Sequence, residues 1–310
     1  GTIALIGFGA FQVLKPRDAM QPGVFMAFFA YVLMLYPTVL ELMSGFAKLT
    51  KSSASIDRVF EMMETSEGEQ EVAAPIVVPI RGHIRFENVS FRYNDGPPVL
   101  RSVSFEIPAG HTCAIIGPSG AGKTTLVSMV PRFIEPQLGQ VQVDGVDVGK
   151  LDLRHLRESI GIAFQECFLF DSSVFENLRY ARPDATMNQI VEVAKRTGAH
   201  DFISKLPNGY GTIIGRDGVS MSRGERQRIT LTRAMLKNPK VLILDEATAS
   251  IDTVSESQII PAILEFMRGK TTLMITHRPE LVRHADIVLQ LADGRIEYQG
   301  PPEGLSSDAL

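Results

Sequence analysis

The sequence predicts an α/β fold preceded by a transmembrane helical segment, and three observations support this prediction. Residues 19–40 contain no charged side chain, whereas the charge density after Lys48 is that of a soluble domain. From His83 onward the pattern changes to short apolar segments of strand length. One such segment leads into the glycine-rich loop 117–124, which is followed by a helix-compatible stretch. With 310 residues, the chain is long enough for about two domains.

Residues 1–64 are expected to form the C-terminal part of a transmembrane domain. The uncharged residues 1–14 are too few to span a bilayer, so we interpret them as a partial helix and the chain as a fragment. A short polar turn is expected at Lys15–Asp18 and Gln21–Gly23. A full helix is expected over about 19–47 and should continue into the cytoplasm as far as residue 64, because about 20 apolar residues cross a membrane.

Two other interpretations of this apolar segment are less favoured. A buried helix of a large soluble core seldom runs so long without a charge, which argues against that alternative. A signal peptide would need a basic region before the apolar run and a cleavage site with small residues, and the sequence shows neither. Pro37 is compatible with a membrane helix, because packing partners can satisfy the carbonyl group that it frees.

The rest of the chain divides by composition into a linker, a soluble domain and a tail. Residues 65–82 are acidic and then contain prolines, which is typical of a linker. Residues 83–304 are expected to form the soluble domain, with strands predicted at Ile84–Tyr93 and Ser102–Ile107. Residues 305–310 are the tail.

Charge and cysteine content exclude several function classes. The formal net charge is −4 and no basic stripe is visible, so no nucleic-acid partner is expected. The short basic cluster Arg154, His155, Arg157 is interpreted as a solvated helix face. Cys113 and Cys167 have neither the spacing of metal ligands nor that of a disulfide framework.

The glycine-rich loop is the most informative stretch of the sequence. The apolar strand Thr112–Ile116 precedes it, and a helix is predicted over Thr125–Val130. Its backbone N–H groups and the following helix N-terminus suit the phosphates of a nucleotide. Lys123 can reach the β- and γ-phosphates, and the Thr124 hydroxyl can bind Mg²⁺. The predicted nucleotide contacts are Gly117, Pro118, Ser119, Gly120, Ala121, Gly122, Lys123, Thr124 and Thr125.

The loop alone indicates only nucleotide binding, because kinases, GTPases, helicases and transporters all carry it. A second apolar run, Val241–Leu244, ends in Asp245 and Glu246. An acid at the carboxyl end of a parallel strand can hold Mg²⁺, which suits Asp245. Glu246 is then free to polarise the attacking water. A third predicted strand, Thr271–Ile275, places His277 at the same edge, where it can contact the γ-phosphate.

Four further segments complete a family pattern. They are Tyr93, Gln165 after Ile162-Ala163-Phe164, the segment Ser222–Glu225 followed by Arg226-Gln227-Arg228, and the loop 249–252 that ends in Asp252. Together with the glycine-rich loop, Asp245-Glu246 and His277, the soluble part resembles the nucleotide-binding domain of ATP-binding cassette (ABC) transporters, specifically exporters with domains fused in one chain.

The resemblance implies a fold and a division of labour. The fold would be a RecA-like P-loop NTPase core with an antiparallel β subdomain and a helical subdomain at roughly 171–234. ATP and Mg²⁺ would be the cofactors. Tyr93 would stack on adenine, and Gln165 would contact Mg²⁺ or the attacking water. Glu246, His277 and Gln165 would be catalytic, and Thr124, Gln165 and Asp245 would bind the metal.

The resemblance also implies partners. Two domains would sandwich two ATP molecules, with Ser222 and Gly224 of one protomer meeting the nucleotide of the other and Asp252 in the loop that crosses the interface. The partner would be a second protomer in the membrane, and the nucleotide-binding domain would be cytoplasmic. The signature departs from the usual Leu-Ser-Gly-Gly-Gln at Met221, Arg223 and Glu225, and Arg216 replaces a usual Glu.

We favour a homodimer, because Ser222 and Gly224 are retained. We also expect the protein to be a multi-pass component of the cell inner membrane or plasma membrane. A heterodimer with one weakened ATP site stays open because of the altered signature. A soluble-type ABC ATPase without a transport role, a separate importer subunit and a nonfunctional membrane-anchored module are less favoured alternatives. The sequence does not identify the cargo.

Overall fold

A computed structural model describes residues 2–14, 21–64, 74–164, 168–215, 218–247 and 253–305. The chain divides into two compact units, Gly1–Glu71 and Val72–Leu310, and each is described by itself. The phosphate loop and the strands around it lie in the second unit.

The first unit consists of helices α1 (Thr2–Val13) and α2 (Pro22–Glu64). By length and composition alone, Pro22–Phe46 of α2 could cross a membrane, with a mean hydropathy of 1.9. We expected a polar turn as far as Gly23, but the helix already begins at Pro22. Proline suits a first helical position, because it fixes φ and lacks only an N–H group that would be unpaired there. The other part of the predicted turn, Lys15–Asp18, and residues 19–20, the expected start of the helix, lie outside the described residues.

In the second unit, strands and helices are interspersed along the chain. The strands are β1 (Ile84–Arg92), β2 (Pro98–Ile107), β3 (Thr112–Ile116), β4 (Leu138–Val143), β5 (Val146–Asp147), β6 (Ile160–Ala163), β7 (Ser172–Ser173), β8 (Ile213–Ile214), β9 (Val241–Asp245), β10 (Thr271–Ile275), β11 (Ile287–Ala292) and β12 (Arg295–Gly300). The helices are α3 (Lys123–Met129), α4 (Leu153–Glu158), α5 (Val174–Arg179), α6 (Met187–Arg196), α7 (Ala199–Ile203), α8 (Arg223–Lys237), α9 (Thr253–Met267) and α10 (Pro279–Val282), with 3-10 turns at Gly209–Gly211 and Pro302–Gly304.

The main sheet positions the site. Its strand order is β12-β11-β3-β10-β9-β6, with β3 and β9 on either side of β10 and all three parallel. Every residue of these three strands is buried, as is usual for parallel strands that are covered on both faces. Ile275 is opposite both Ile115 and Asp245, so the three carboxyl ends lie side by side. The predicted RecA-like α/β core is confirmed.

The two predicted subdomains accompany this core. An antiparallel sheet of order β2-β1-β4-β5 packs its apolar face into the main core, with Phe86 stacked on Phe105 at 4.5 Å between ring centroids. Helices α5 to α8 have a hydrophobic cluster of their own, which includes Leu178, Ile190 and Ile229. A separate cluster is what allows this helical part to be distinguished from the sheet core. Helix α8 continues to Lys237, beyond residue 234, where the helical subdomain was expected to end.

Part of the segment expected to be a linker is packed against the second unit. Ile76 forms a β-bridge with Leu151, and Ile80 is buried in the main core. The Asp144 carboxylate accepts hydrogen bonds from the backbone N–H groups of Arg81, Gly82 and His83. Ile76 supplies the bridge and Ile80 the buried side chain, so residues 76–82 belong structurally with the second unit.

The basic cluster on α4 is not a uniformly solvated face, as we expected it to be. Arg154 is exposed, but His155 Nε2 lies 2.7 Å from the Val78 carbonyl oxygen. The Arg157 guanidinium donates to the carbonyl oxygen of Pro131 and lies over the ring of Phe133. Long polar side chains can pack their stems and still satisfy their donors, which the sequence pattern did not indicate.

Candidate nucleotide-binding site

The phosphate loop leaves the buried strand β3 in a conformation that only glycine adopts easily. Gly117 has φ +140°, and a Cβ there would collide with the carbonyl oxygen of Leu291. Gly120 has φ +82°, and a Cβ there would meet no atom within 4 Å. The loop is therefore fixed against strand β11 on one side and open on the other. Pro118 and Ser119 are exposed with Gly120, whereas Ala121 is buried. This open cradle of backbone fits the phosphates of a nucleotide.

Lys123 is the first residue of α3 and is largely buried by the loop. Its ammonium donates to the carbonyl oxygens of Gly117 and Pro118, at 2.7 and 2.9 Å. Burial lowers the pKa of Lys123, and the carboxylates of Glu246 and Asp245 oppose that shift. The structure thus places the cation on the loop itself, beside both acidic residues.

Thr124 and Asp245 bring together a hydroxyl group and a carboxylate. Thr124 Oγ1 donates to Asp245 Oδ2 at 3.0 Å, which joins the start of α3 to the end of β9. Asp245 is only 3% exposed; burial raises its pKa, and the hydrogen bond from Thr124 opposes that shift. These hard oxygens suit Mg²⁺, which is often bound by one or two carboxylates together with phosphate oxygens. Within the described residues, no group of three His, Cys, Asp or Glu could hold a metal alone.

Glu246 follows β9 in a left-handed backbone conformation. Its φ is +47°, which costs a non-glycine residue about 1–3 kcal/mol. Its N–H donates to the carbonyl oxygen of Ile275 at the end of β10. The carboxylate oxygen Oε1 lies 3.6 Å from His277 Nε2, and His277 is more than half exposed. The structure brings Glu246 and His277, two of the three predicted catalytic side chains, to the edge that carries Asp245.

Gln227 contacts Glu246 as well, and it was not among the residues predicted for the site. Its side chain, on α8 and 4% exposed, donates from Nε2 to the carbonyl oxygen of Glu246 at 2.7 Å. A glutamine inside an amphipathic helix gives no local signal of such a contact. Only the unusual backbone of Glu246, which the sequence does not reveal, brings that carbonyl group toward α8.

Tyr93 follows β1 and reaches the helix after the phosphate loop. Its hydroxyl lies 3.1 Å from Thr125 Oγ1, and its ring meets Phe91 edge-on at 4.9 Å between centroids. Tyr93 remains 51% exposed, so ring surface is available for a stacking partner. Thr125 is buried and faces this hydroxyl.

The signature segment begins helix α8. Ser222 is the N-cap and forms a capping box with Glu225: the serine hydroxyl accepts from the Glu225 N–H, and the Glu225 carboxylate accepts from the Ser222 N–H at 2.8 Å. Gly224 lies in the first turn, and Arg223 is exposed. The predicted role of Ser222 and Gly224 concerns the nucleotide of another protomer. Gln165, Asp252, Arg216 and Cys167 lie outside the described residues.

Comparisons with known proteins agree with this geometry. A family model described as ABC transporter matches residues 100–249. The chain is similar to an ATP-dependent lipid A-core flippase of Syntrophus aciditrophicus (strain SB), with 40% identity over 98% of this chain and 50% of that protein. It is also similar to a putative multidrug export ATP-binding/permease protein of Bacillus subtilis (strain 168), with 41% identity over 88% of this chain and 48% of that protein.

A solved structure is similar over nearly the whole chain. It is that of a bacterial Atm1-family ABC exporter with ATP bound, with a TM-score of 0.76 and 31% identity, covering 97% of this chain and 53% of that one. The chain spans about half the length of the curated relatives it matches. The family model, the relatives and the structural neighbour all lead to one assignment: the chain belongs to the ABC transporter family.

Proposed function

We propose that the second unit binds ATP with Mg²⁺ and hydrolyses the ATP, and that this reaction drives export of a substrate across a membrane. The observation that carries the proposal is the convergence of five side chains at the carboxyl ends of β3, β9 and β10. They are Lys123, Thr124, Asp245, Glu246 and His277. Ligands of open α/β sheets bind outside these strand ends.

Each residue has a role that its position supports. The loop N–H groups and Lys123 hold the phosphates, and Thr124 with Asp245 holds the metal. Mg²⁺, when bound, neutralises charge on the β- and γ-phosphate oxygens. Glu246 orients a water for attack and accepts its proton, and His277, beside that carboxylate, contacts the γ-phosphate. Tyr93 offers an exposed ring to the adenine base.

Two nucleotide-binding domains would close on two ATP molecules, each held between one phosphate loop and the other protomer's Ser222 and Gly224. Closure and hydrolysis would alternate the transmembrane part between two states. The apolar segment Pro22–Phe46 and the similarity to export proteins support a membrane location, with the second unit on the cytoplasmic side. The relatives' names specify different cargoes, and the cargo of this protein would be selected by its transmembrane part.

The test is the variant Glu246→Gln, which keeps the shape of the side chain and removes its charge. We expect ATP binding to persist while kcat falls by about 10²-fold or more, because only the group that activates water is lost. Mg²⁺-dependent release of phosphate and equilibrium nucleotide binding should be measured on the same preparations. Turnover within about twofold of the unmodified protein would contradict the assignment.

A second arrangement is favoured by one observation, the altered signature. Arg223 adds bulk and charge where backbone would approach a phosphate, and Glu225 adds a carboxylate to the same turn. Such a signature would suit a heterodimer in which one ATP site is weakened. We favour the homodimer, because Ser222 and Gly224 are retained and Glu225 stabilises the beginning of α8 through the capping box.

A further inference from the structure

We propose that Gln227 is a positioning residue for hydrolysis, which holds the backbone of Glu246 and thereby aims its carboxylate. The inference rests on the proposed catalytic role of Glu246, and it adds a residue on α8 to a site otherwise built from the phosphate loop and two strand ends. Gln227 acts through Glu246 and does not itself contact the nucleotide.

The first step is the backbone of Glu246, which must be held from outside. A left-handed conformation at a residue with a Cβ persists only where surrounding contacts over-determine it. At Glu246 both peptide groups are engaged: the N–H donates to Ile275 at 3.0 Å, and the carbonyl oxygen accepts from Gln227 Nε2 at 2.7 Å. The Ile275 contact belongs to the sheet, whereas the Gln227 contact comes from a different subdomain.

The second step is the cost of losing the Gln227 contact. Gln227 is 4% exposed, so bulk water cannot replace the carbonyl oxygen of Glu246 as the partner of its amide. Without the donor, one restraint on the left-handed backbone of Glu246 is lost. A change of its φ from +47° toward the ordinary negative range would swing the Cβ and carry the carboxylate away from His277 Nε2, which lies 3.6 Å away. Small misplacements of a catalytic group cost large factors in rate.

The third step is the origin of Gln227 on the signature helix. Helix α8 begins immediately after Ser222, and its buried residues include Gln227 and Ile229. A displacement of α8 when Ser222 meets a partner's nucleotide would therefore reach the carbonyl of Glu246 through a single side chain. Through this contact, the Glu246 carboxylate of a protomer would respond when Ser222 of that same protomer meets the partner's nucleotide.

The test uses Gln227→Met in the full chain, purified in detergent, because methionine keeps the length of the side chain and removes the donor. The matched control is Thr232→Val, which removes another buried hydrogen-bonding group on α8; the Thr232 hydroxyl bonds to Thr197 and Arg228. We expect Gln227→Met to lower kcat by about ten- to a hundredfold. The nucleotide Kd should stay within about twofold. Thr232→Val should lower the unfolding temperature without lowering kcat.

Two further measurements separate positioning from general stability. In the nucleotide-free protein, hydrogen exchange of the Glu246 amide should be faster in Gln227→Met and unchanged in Thr232→Val. In a double-mutant cycle, adding Gln227→Met to Glu246→Gln should cause no further loss of turnover, because the two residues act as one unit. Should the methionine variant fail to fold, Gln227→Leu, which removes the donor without burying a charge, takes its place in all three measurements.

The outcomes distinguish this inference from the proposed function. An active protein that Glu246→Gln silences but Gln227→Met leaves within about twofold of normal would overturn the positioning role. Additive losses in the cycle, or equal losses in the Thr232→Val control, would overturn it as well. A protein that hydrolyses no ATP, or one in which Glu246→Gln is fully active, would instead overturn the proposed function, while the exchange of the Glu246 amide still reports whether Gln227 holds it.

Discussion

At the scale of single residues, Lys123 and Tyr93 differ in what they contribute to nucleotide binding. Lys123 is a largely buried cation on the phosphate loop, whereas Tyr93 is a half-exposed ring beside it. Neutralising phosphate charge in a buried place is worth more than a stacking contact, which contributes about 1–3 kcal/mol in related settings.

We therefore expect Lys123→Ala to abolish tight ATP binding and Tyr93→Ala to weaken it only modestly. A nucleotide titration of both variants checks this, with Tyr93→Phe as a control that keeps the ring and loses the hydroxyl bond to Thr125. Equal losses in Lys123→Ala and Tyr93→Ala would contradict the assignment of Tyr93 as a residue that only stacks on the base.

Tyr210 gives a prediction about pH. Burial raises the pKa of its hydroxyl to about 12, and that hydroxyl lies 3.1 Å from His200 Nδ1. Because the folded pKa is above the unfolded value of about 10, the folded state keeps its proton longer, and stability is lost as pH rises from about 10 to 12. The unfolding temperature of the unmodified protein should fall more steeply over this window than that of Tyr210→Phe. If the unfolding temperatures of the two proteins fell in parallel over this pH range, the raised pKa of Tyr210 would be contradicted.

At the scale of elements, α8 combines the altered signature with the contact to Glu246. Arg223 is exposed at its first position, and Glu225 is engaged with Ser222 rather than with solvent alone. The helix start is therefore stabilised by its capping box, and the guanidinium of Arg223 has room to point away from a nucleotide.

We expect the protein expressed without any other transporter subunit to hydrolyse ATP, and Arg223→Gly to change its rate by no more than about threefold. Phosphate release from the unmodified protein and from Arg223→Gly checks this, with Arg223→Lys as the control that keeps the charge. A silent protein that Arg223→Gly activates, or one that needs a second gene product, would overturn the homodimer.

The elements that the sequence predicted best are those with strong local patterns. The strands Thr112–Ile116 and Thr271–Ile275 have the predicted bounds, because continuous apolar runs flanked by turns are typical of buried parallel strands. The strand order was not predictable, since pairing depends on crossovers between distant segments. The contact of Gln227 with Glu246 was also missed, because it joins residues of different elements. The packing of residues 76–82 was missed because the prolines there suggested a linker.

At the scale of the whole molecule, the two units differ in how their apolar side chains are covered. In the first unit, Phe28, Leu35 and Phe46 of α2 are exposed at 54%, 62% and 72%. The second unit, in contrast, has buried hydrophobic clusters, although some of its apolar residues such as Leu138 are also exposed. Exposed apolar surface of this extent requires a membrane, detergent or a packing partner.

The full chain is accordingly expected to aggregate in plain buffer and to be monodisperse in detergent. A version beginning at Val72, the first residue of the second unit, should stay soluble without detergent. Size-exclusion chromatography of both versions in both conditions checks this. A full chain that elutes as a single species in plain buffer would contradict the membrane interpretation of Pro22–Phe46.

The attachment of residues 76–83 also decides where a mechanical load would enter the second unit. A pull along the chain from its N-terminal side reaches the bridge between Ile76 and Leu151 first. Behind it, the Asp144 carboxylate holds the three successive N–H groups of Arg81, Gly82 and His83. The load then passes into the antiparallel sheet, and β3 with its loop lies further along the chain. Work delivered through the polypeptide would thus displace the unit as a body before it could deform the nucleotide loop.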